Sequence, residues 1–183
     1  MEKPIMYDDD TPTPPPFYEP SSHVEHPGNR SKTPKVWRIL LIEDNAGDAR
    51  LIRESLFGVP NAAFKLEHAD RLEKGLAILA EGGVDLVLLD LSLPESWGIN
   101  TLLRVQAQAP GVPIVVLTGL DDETIAITAV QQGAQDYLVK GEFSGGFLVR
   151  SVRYAIERAR RRRAEQELRR TKEEFRIAHE IQQ

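Results

Sequence analysis

The stretch that decides the fold is VDLVLLDLSLP, residues 84–94. Its apolar run, Leu86–Leu89, is too short to cross a membrane and is typical of a strand buried on both faces of a parallel sheet. The run ends at Asp90, and two turn-forming residues, Pro94 and Gly98, follow it. Open α/β sheets bind their ligands at the carboxyl ends of their strands, so Asp90 is a candidate site residue.

Four further strand-like runs flank this one, and helical patterns separate them. The runs lie at residues 38–42, 64–69, 113–117 and 136–139. Between the first two runs, apolar residues recur at helical spacing, namely Leu51, Ile52, Leu56 and Phe57. Strand and helix thus alternate five times, which predicts right-handed crossovers and an α/β fold. We expect a five-stranded parallel sheet with helices on both faces.

Composition excludes several classes of site and partner. The 183 residues include no cysteine, which excludes disulfides, thiolate metal sites and thiol nucleophiles. No apolar run reaches the length of a membrane span, and the proline-rich N-terminus does not resemble a signal peptide, so we expect a cytoplasmic protein without a membrane partner. The net charge of −5 divides into −10 for residues 1–149 and +5 for residues 150–183. The acidic body disfavours nucleic-acid binding.

The chain is predicted to have three parts. Residues 1–35 contain eight of the twelve prolines and few large aliphatic residues, which is typical of a disordered leader. Residues 36–158 contain the alternating strands and helices. Residues 159–183 continue a helical pattern that runs without proline or glycine from residue 147 onward, and they are predicted to form a helical linker.

Polar residues follow the predicted strands directly, and a parallel sheet brings them to one edge. They are Glu43, Asp44, Asp90, Thr118 and Lys140. Three neighbouring carboxylates repel one another, and a hard divalent cation such as Mg²⁺ would relieve that repulsion. An ammonium and a hydroxyl beside the cation would stabilise a phosphoryl group in transfer, with Asp90 as the nucleophile.

Together these residues resemble the receiver domain of a two-component response regulator, and the resemblance covers residues 38–158. It implies a flavodoxin-like sheet with strand order 2-1-3-4-5. It also implies that Asp90 accepts a phosphoryl group from a sensor histidine kinase or a phosphotransfer protein, with catalytic help from Thr118 and Lys140. Such a domain takes part in phosphoryl transfer and autodephosphorylation, and the sequence predicts no separate catalytic domain.

The same resemblance implies how a metal and a switch are built. Glu43 would help to position Mg²⁺, and Asp44, Asp90 and the carbonyl of Ser92 would ligate it. Thr118 and the aromatic residue Tyr137 would form the switch that responds to phosphorylation.

Two departures and one rival class bear on this interpretation. The acidic pair is Glu-Asp instead of Asp-Asp, and Lys140 is followed by Gly141 where the family usually has proline after a cis bond. A cis bond before glycine costs about 2.5–4 kcal/mol, so we expect a trans or more mobile loop. A haloacid-dehalogenase-like phosphatase is the remote alternative, but Ser92 occupies the position where that family has a second acid.

The C-terminal segment predicts a dimerisation helix. A 3-4 spacing relates Ala164, Leu168, Thr171, Phe175, Ala178 and Gln182. This pattern indicates a short parallel coiled coil, and therefore a homodimer. The basic run at residues 160–163 is interpreted as a solvated helical face.

The C-terminal end of the chain suggests several kinds of output. Because the sequence ends inside the predicted helix without a cap, we expect a longer regulator. Residues 174–183 resemble the helix that leads into a PPM-type serine/threonine phosphatase domain and, less well, a histidine-kinase helix with His179 as its phosphorylated residue. The other possibility is a stand-alone or kinase-coupled receiver that acts as a protein-interaction switch.

Overall fold

The computed structural model describes residues 35–60, 63–119 and 123–181. These residues belong to the compact unit formed by residues 34–183. Apart from Lys35, the predicted leader lies outside the described residues. None of the helices in this part of the chain has the length and apolar character that crossing a membrane requires.

The described elements alternate between strand and helix, as predicted. In chain order they are β1 (Trp37–Ile42), α1 (Ala46–Phe57), β2 (Phe64–Ala69), α2 (Leu72–Ala80), β3 (Leu86–Asp90), β4 (Ser92–Leu93), β5 (Ser96–Trp97), α3 (Ile99–Gln108), β6 (Ile114–Thr118), α4 (Glu123–Gln131), β7 (Asp136–Val139) and α5 (Gly145–Ile181).

The main sheet has the predicted topology. Within the described residues it has five parallel strands in the order β2-β1-β3-β6-β7, which is the predicted order 2-1-3-4-5 once the short strands β4 and β5 are set aside. Those two strands pair with each other as a small antiparallel ribbon that the sequence did not predict. All five residues of β3 are buried, which confirms that strand as the centre of the sheet.

Helices cover both faces of the sheet, and each face has its own apolar core. One core joins α1 and α5 to the sheet, and the other joins α2, α3 and α4 to the opposite face. Alternate residues of β3 divide between them: Leu86 and Leu88 belong to the first core, Val87 and Leu89 to the second. The period-2 alternation of a strand explains this division.

Helix α1 buries a narrower face than predicted. Ala49, Ile52 and Leu56 are buried, whereas Leu51 and Phe57 are 61% and 50% exposed. Two of the four apolar residues at helical spacing, Leu51 and Phe57, therefore lie outside the core. Each lies next in sequence to a buried residue, and successive residues of a helix point about 100° apart.

The first turns of α5 pack on the sheet, as predicted, and the following turn contacts strand β1 and the loops that precede β6 and β7. Arg162 Nη2 donates to Gln135 Oε1 at 2.6 Å, and Arg163 Nη2 donates to the carbonyl of Gly111 at 2.7 Å. The Arg160 guanidinium lies 4.7 Å from the centre of the Trp37 ring. All four arginines of residues 160–163 are exposed, as a solvated face requires, and three of them also contact groups outside the helix.

Candidate functional site

The carboxyl ends of the parallel strands bring the predicted polar residues to one edge. Glu43 and Asp44 follow β1, Asp90 ends β3 and Thr118 ends β6. Lys140 follows β7, and its backbone N–H donates to the carbonyl of Thr118 at 2.8 Å. The fold therefore gathers five polar residues from four strand ends, as the sequence predicted.

The ammonium group of Lys140 contacts three carboxylates at this edge of the sheet. Its Nζ lies 2.6 Å from Glu43 Oε2, 2.7 Å from Asp90 Oδ2 and 3.0 Å from Asp48 Oδ2. The ammonium donates hydrogen bonds to Asp90 and Asp48, and its contact with Glu43 is an ion pair. Burial acts to lower the pKa of Lys140, but the adjacent carboxylates of Asp90, Glu43 and Asp48 outweigh it and raise the pKa. Lys140 is thus held as a cation.

Three carboxylates lie close enough to share one cation. Ligand atoms of Glu43, Asp44 and Asp90 all lie within 4.8 Å of one another. Glu43 is fully buried, Asp90 is 3% exposed and Asp44 is exposed. Burial raises the pKa of Glu43 to about 7, with the ammonium of Lys140 opposing this change and the charge of Asp90 adding to it. With Lys140 as its one cation among the described residues, the cluster of Glu43, Asp44 and Asp90 therefore has more acidic groups than positive charges.

The hydroxyl of Thr118 is buried and unpaired among the described residues. The residue is 2% exposed, and its Oγ1 has no hydrogen-bond partner in the described part of the chain. The space that it shares with Ser92 and Ile125 is too small for a water molecule. An unpaired buried hydroxyl costs about 1–3 kcal/mol, so a ligand oxygen that accepts a hydrogen bond from Thr118 would relieve that cost.

Ser92 and Tyr137 flank this centre. The backbone N–H of Ser92 donates to Asp90 Oδ1 at 2.9 Å, which fixes the carboxylate from the side opposite Lys140. Tyr137 is half-buried and pairs with Val116 across the sheet, two residues before Thr118. Because strand residues two apart share a face, Tyr137 lies on the same face of the sheet as Thr118.

The loop after β7 differs from the family pattern, as expected. The described peptide bonds are all trans, including the one between Lys140 and Gly141. Gly141 has φ +82°, a left-handed conformation in which a residue with a side chain is strained. Glycine here lets the loop reverse direction immediately after the lysine.

Two residues that sequence reasoning missed, Asp48 and His68, complete the site together with Asn45, which the sequence already indicated as a helix cap. Asp48 lies in the first turn of α1 and contacts Lys140. Asn45 caps that helix by accepting from the N–H groups of Gly47 and Asp48. The His68 ring bonds the carbonyl of Glu43 at 2.8 Å and so fixes the end of β1. The Asn45 cap and the acid three residues later were the available signal for α1, but nothing in the sequence pointed from Asp48 to Lys140.

Comparison with known proteins identifies this arrangement. Residues 39–150 match the family described as response regulator receiver domain, a match that spans more than half of the chain. The chain belongs to this family. Receiver domains generally bind Mg²⁺ at an acidic pocket and interact with histidine kinases or phosphotransfer proteins in two-component signalling.

Relatives share the receiver part of the chain. FilR1, a methanogenesis regulatory protein of Methanothrix harundinacea, is 34% identical over 122 residues, which cover 64% of this chain and 27% of FilR1. KdpE, the KDP operon transcriptional regulatory protein of Escherichia coli, is 36% identical over 120 residues, which cover 66% of this chain and 51% of KdpE. The chain thus spans about half of one of these curated relatives and about a quarter of the other.

A solved receiver structure shows the same fold. The crystal structure of a response regulator receiver domain from Clostridium thermocellum matches with a TM-score of 0.60 and 26% sequence identity. The match covers 68% of this chain and 97% of that one. A complete receiver domain therefore corresponds to about two thirds of the chain.

Proposed function

We propose that this receiver accepts a phosphoryl group on Asp90 from the phosphohistidine of a sensor histidine kinase or a phosphotransfer protein. The observation that carries the proposal is the buried Asp90 carboxylate at the end of the central strand, with the Lys140 ammonium 2.7 Å from its Oδ2. In the reaction, a carboxylate oxygen forms the new bond to phosphorus as the phosphorus–nitrogen bond breaks. The imidazole leaves with a proton, and Asp90 becomes an acyl phosphate.

Two side chains support that transfer. The Lys140 ammonium lies where it can pair with an oxygen of the incoming phosphoryl group, and the free Thr118 hydroxyl can donate to another. Both groups are partly or fully removed from water, which strengthens their interaction with developing negative charge. Hydrolysis of the acyl phosphate by water at the same centre would return the carboxylate, as autodephosphorylation.

The acidic cluster fits a magnesium ion. Its donors are carboxylate oxygens from Glu43, Asp44 and Asp90, and oxygen is the ligand that Mg²⁺ prefers. We propose that Asp44, Asp90 and the carbonyl of Ser92 ligate the ion and that Glu43 positions it. When bound, Mg²⁺ supplies positive charge that offsets the phosphoryl oxygens.

Two parts of the protein would transmit the signal: the residue pair Thr118 and Tyr137, and helix α5. Thr118 would move toward the phosphoryl group, and Tyr137, on the same face of the sheet, would turn from solvent toward the core. Helix α5, about 55 Å long, would pass the change to an output domain of a longer regulator. We propose that two chains form a parallel homodimer along the seam of α5, meaning the residues at 3-4 spacing Ala164, Leu168, Thr171, Phe175 and Ala178. The output domain would be a PPM-type phosphatase. The protein would act in the cytoplasm, where ATP-dependent kinases supply phosphohistidine.

Labelling with small phosphodonors tests the acceptor. The full chain is incubated with Mg²⁺ and phosphoramidate, which carries the same phosphorus–nitrogen bond as phosphohistidine, and its intact mass is followed. We expect the wild type to gain one phosphoryl group and Asp90→Asn to gain none. Asp70→Asn is the matched control, because Asp70 is an exposed acid that follows β2 at the same edge. Equal labelling of Asp90→Asn and wild type would contradict the proposal.

A further inference from the structure

Asp48 stands apart from the other carboxylates that hold Lys140. All three contact the same ammonium, at 2.6, 2.7 and 3.0 Å. Glu43 and Asp90 also belong to the group of acids that can share a cation, whereas Asp48 does not. Once that group holds Mg²⁺, the charge of Glu43 and Asp90 is divided between two cations. Asp48 is then the acid whose charge serves Lys140 alone.

The backbone does little to fix the lysine side chain. The loop turns at Gly141, in a trans peptide and without the proline that would stiffen it. The Lys140 amide is anchored to the carbonyl of Thr118, but four rotatable bonds separate that anchor from Nζ. The position of the ammonium is therefore set by the acids around it.

Asp48 is suited to this task by its place in the fold. It lies in the first turn of α1, where the Asn45 side chain accepts from its backbone N–H at 3.1 Å. Its side chain is 34% exposed, compared with 0% for Glu43 and 5% for Asp90. An ion pair this open to water contributes little to stability, so its effect is expected on the position of the ammonium.

We propose that Asp48 is a positioning residue that keeps the Lys140 ammonium beside Asp90 while Glu43 and Asp90 also serve a divalent cation. The inference rests on the proposed phosphoryl transfer for its consequence, because a displaced ammonium cannot meet the incoming phosphoryl oxygens. The positioning itself does not depend on that transfer: Asp48 would hold the Lys140 ammonium more strongly than the other acids do once Mg²⁺ is bound.

The first experiment measures rates of labelling by phosphoramidate in saturating Mg²⁺. Full-length wild type is compared with Asp48→Asn, Lys140→Met and the double variant. We expect Asp48→Asn to slow labelling about tenfold, since small misplacements of a catalytic group have effects of this size or larger. Because Asp48 acts through Lys140, the double variant should be no slower than Lys140→Met. Glu54→Gln removes an equal charge from the exposed side of α1 and should match wild type.

The second experiment observes the ammonium itself and does not depend on labelling. Nitrogen-15 NMR follows the Lys140 ammonium, assigned by its loss in Lys140→Met, before and after addition of Mg²⁺. In wild type the signal should stay protected from exchange with water. In Asp48→Asn it should broaden when Mg²⁺ is added, and in Glu54→Gln it should not.

The two readouts separate the two proposals. If wild type is not labelled but the ammonium of Asp48→Asn loses protection in Mg²⁺, the positioning role stands and the proposed function fails. If wild type is labelled and Asp48→Asn matches it in rate and protection, the positioning role is overturned. Additive losses in the double variant would also overturn it, since they would show that Asp48 does not act through Lys140.

Discussion

Lys140 Nζ lies 2.7 Å from Asp90 Oδ2, although 50 residues separate the two in the sequence. The lysine follows the edge strand β7, and the aspartate ends the central strand β3, so the parallel sheet creates the contact. Because the lysine also meets Glu43 and Asp48, it compensates three acids with one charge. The site therefore carries more negative than positive charge, and this excess determines how its stability responds to substitution and to pH.

Removing the Lys140 ammonium should destabilise the metal-free protein. Lys140→Met leaves two buried carboxylates without their cation, and losing one partner of a buried pair costs about 3 kcal/mol. We expect a loss of that order in the free energy of unfolding at pH 8 in EDTA, measured by urea denaturation. Added Mg²⁺ should restore part of it by binding the folded state. Lys74→Met, which removes an exposed pair with Asp70, is the control and should change little.

Glu43 should make stability depend on pH in the metal-free protein. Its pKa in the folded state is raised to about 7, whereas the unfolded chain has the ordinary value of 4.5. Between these values the folded state binds more protons, so this group's contribution to the free energy of unfolding falls as pH rises from about 5 to 8. We expect Glu43→Gln to lose that dependence.

The measurement compares the two proteins in EDTA across the same window. The stability of Glu43→Gln relative to wild type should increase from pH 5 to pH 8 by an amount on the order of 2 kcal/mol. Glu54→Gln, an exposed acid of α1, serves as the control and should follow wild type. A constant difference between Glu43→Gln and wild type would show that Glu43 titrates normally.

Thr118 should show a conflict between stability and switching. Its buried hydroxyl is unpaired, so Thr118→Val keeps the shape and removes the unsatisfied group. We expect the free energy of unfolding to rise by about 1 kcal/mol. In contrast, beryllofluoride should no longer shift the NMR signals of Tyr137 in this variant, although it should in wild type. If Tyr137 responds equally in both proteins, the hydroxyl is not part of the switch.

The sequence predicted the fold and the main site because both depend on local patterns. Apolar runs such as Leu86–Leu89 define strands, and the polar residue that ends each run must lie at the sheet edge. Asp90 and Lys140 could therefore be placed together without knowledge of any contact. The roles of Ser92 in metal binding and of Tyr137 in switching stay predictions.

Contacts that depend on side-chain reach could not be predicted in the same way. In the sequence, Asp48 looks like any acid in the first turn of a helix. The fold places Lys140, 92 residues later, 3.0 Å from it. The basic run 160–163 is a solvated face, but its contacts outside the helix are a neutral amide, a carbonyl and an aromatic ring, which no charge pattern reveals.

These arginine contacts should hold the base of the exposed helix. Arg162→Ala combined with Arg163→Ala removes the bonds to Gln135 and Gly111. We expect faster amide hydrogen exchange in α5 after Ala159, with unchanged exchange in β3. Arg169→Ala combined with Arg170→Ala removes equal charge farther along the helix and should leave exchange near Ala159 as in wild type. Unchanged exchange in the first double variant would show that the contacts do not order the helix.

The last prediction concerns the predicted dimer along α5. Beyond the turn that contacts the sheet the helix is exposed, and Leu168 and Phe175 on the seam are 56% and 75% exposed. Within one chain, Arg170 with Glu174 and Arg176 with Glu173 support this region, and such pairs contribute only about 0.2–0.5 kcal/mol each. A second helix would stabilise it by covering the apolar seam.

Sedimentation of the full chain tests this seam. Leu168→Asp combined with Phe175→Asp should shift the protein from dimer to monomer, because two charges from each chain would be buried at the interface. Ile177→Asp is the matched control, since Ile177 is 47% exposed but lies off the seam, and it should leave the dimer intact. Polar Thr171 within the seam predicts a weak dimer, so beryllofluoride should strengthen association if phosphorylation acts through this helix. A wild type that stays monomeric with and without beryllofluoride would exclude the coiled coil as the output device.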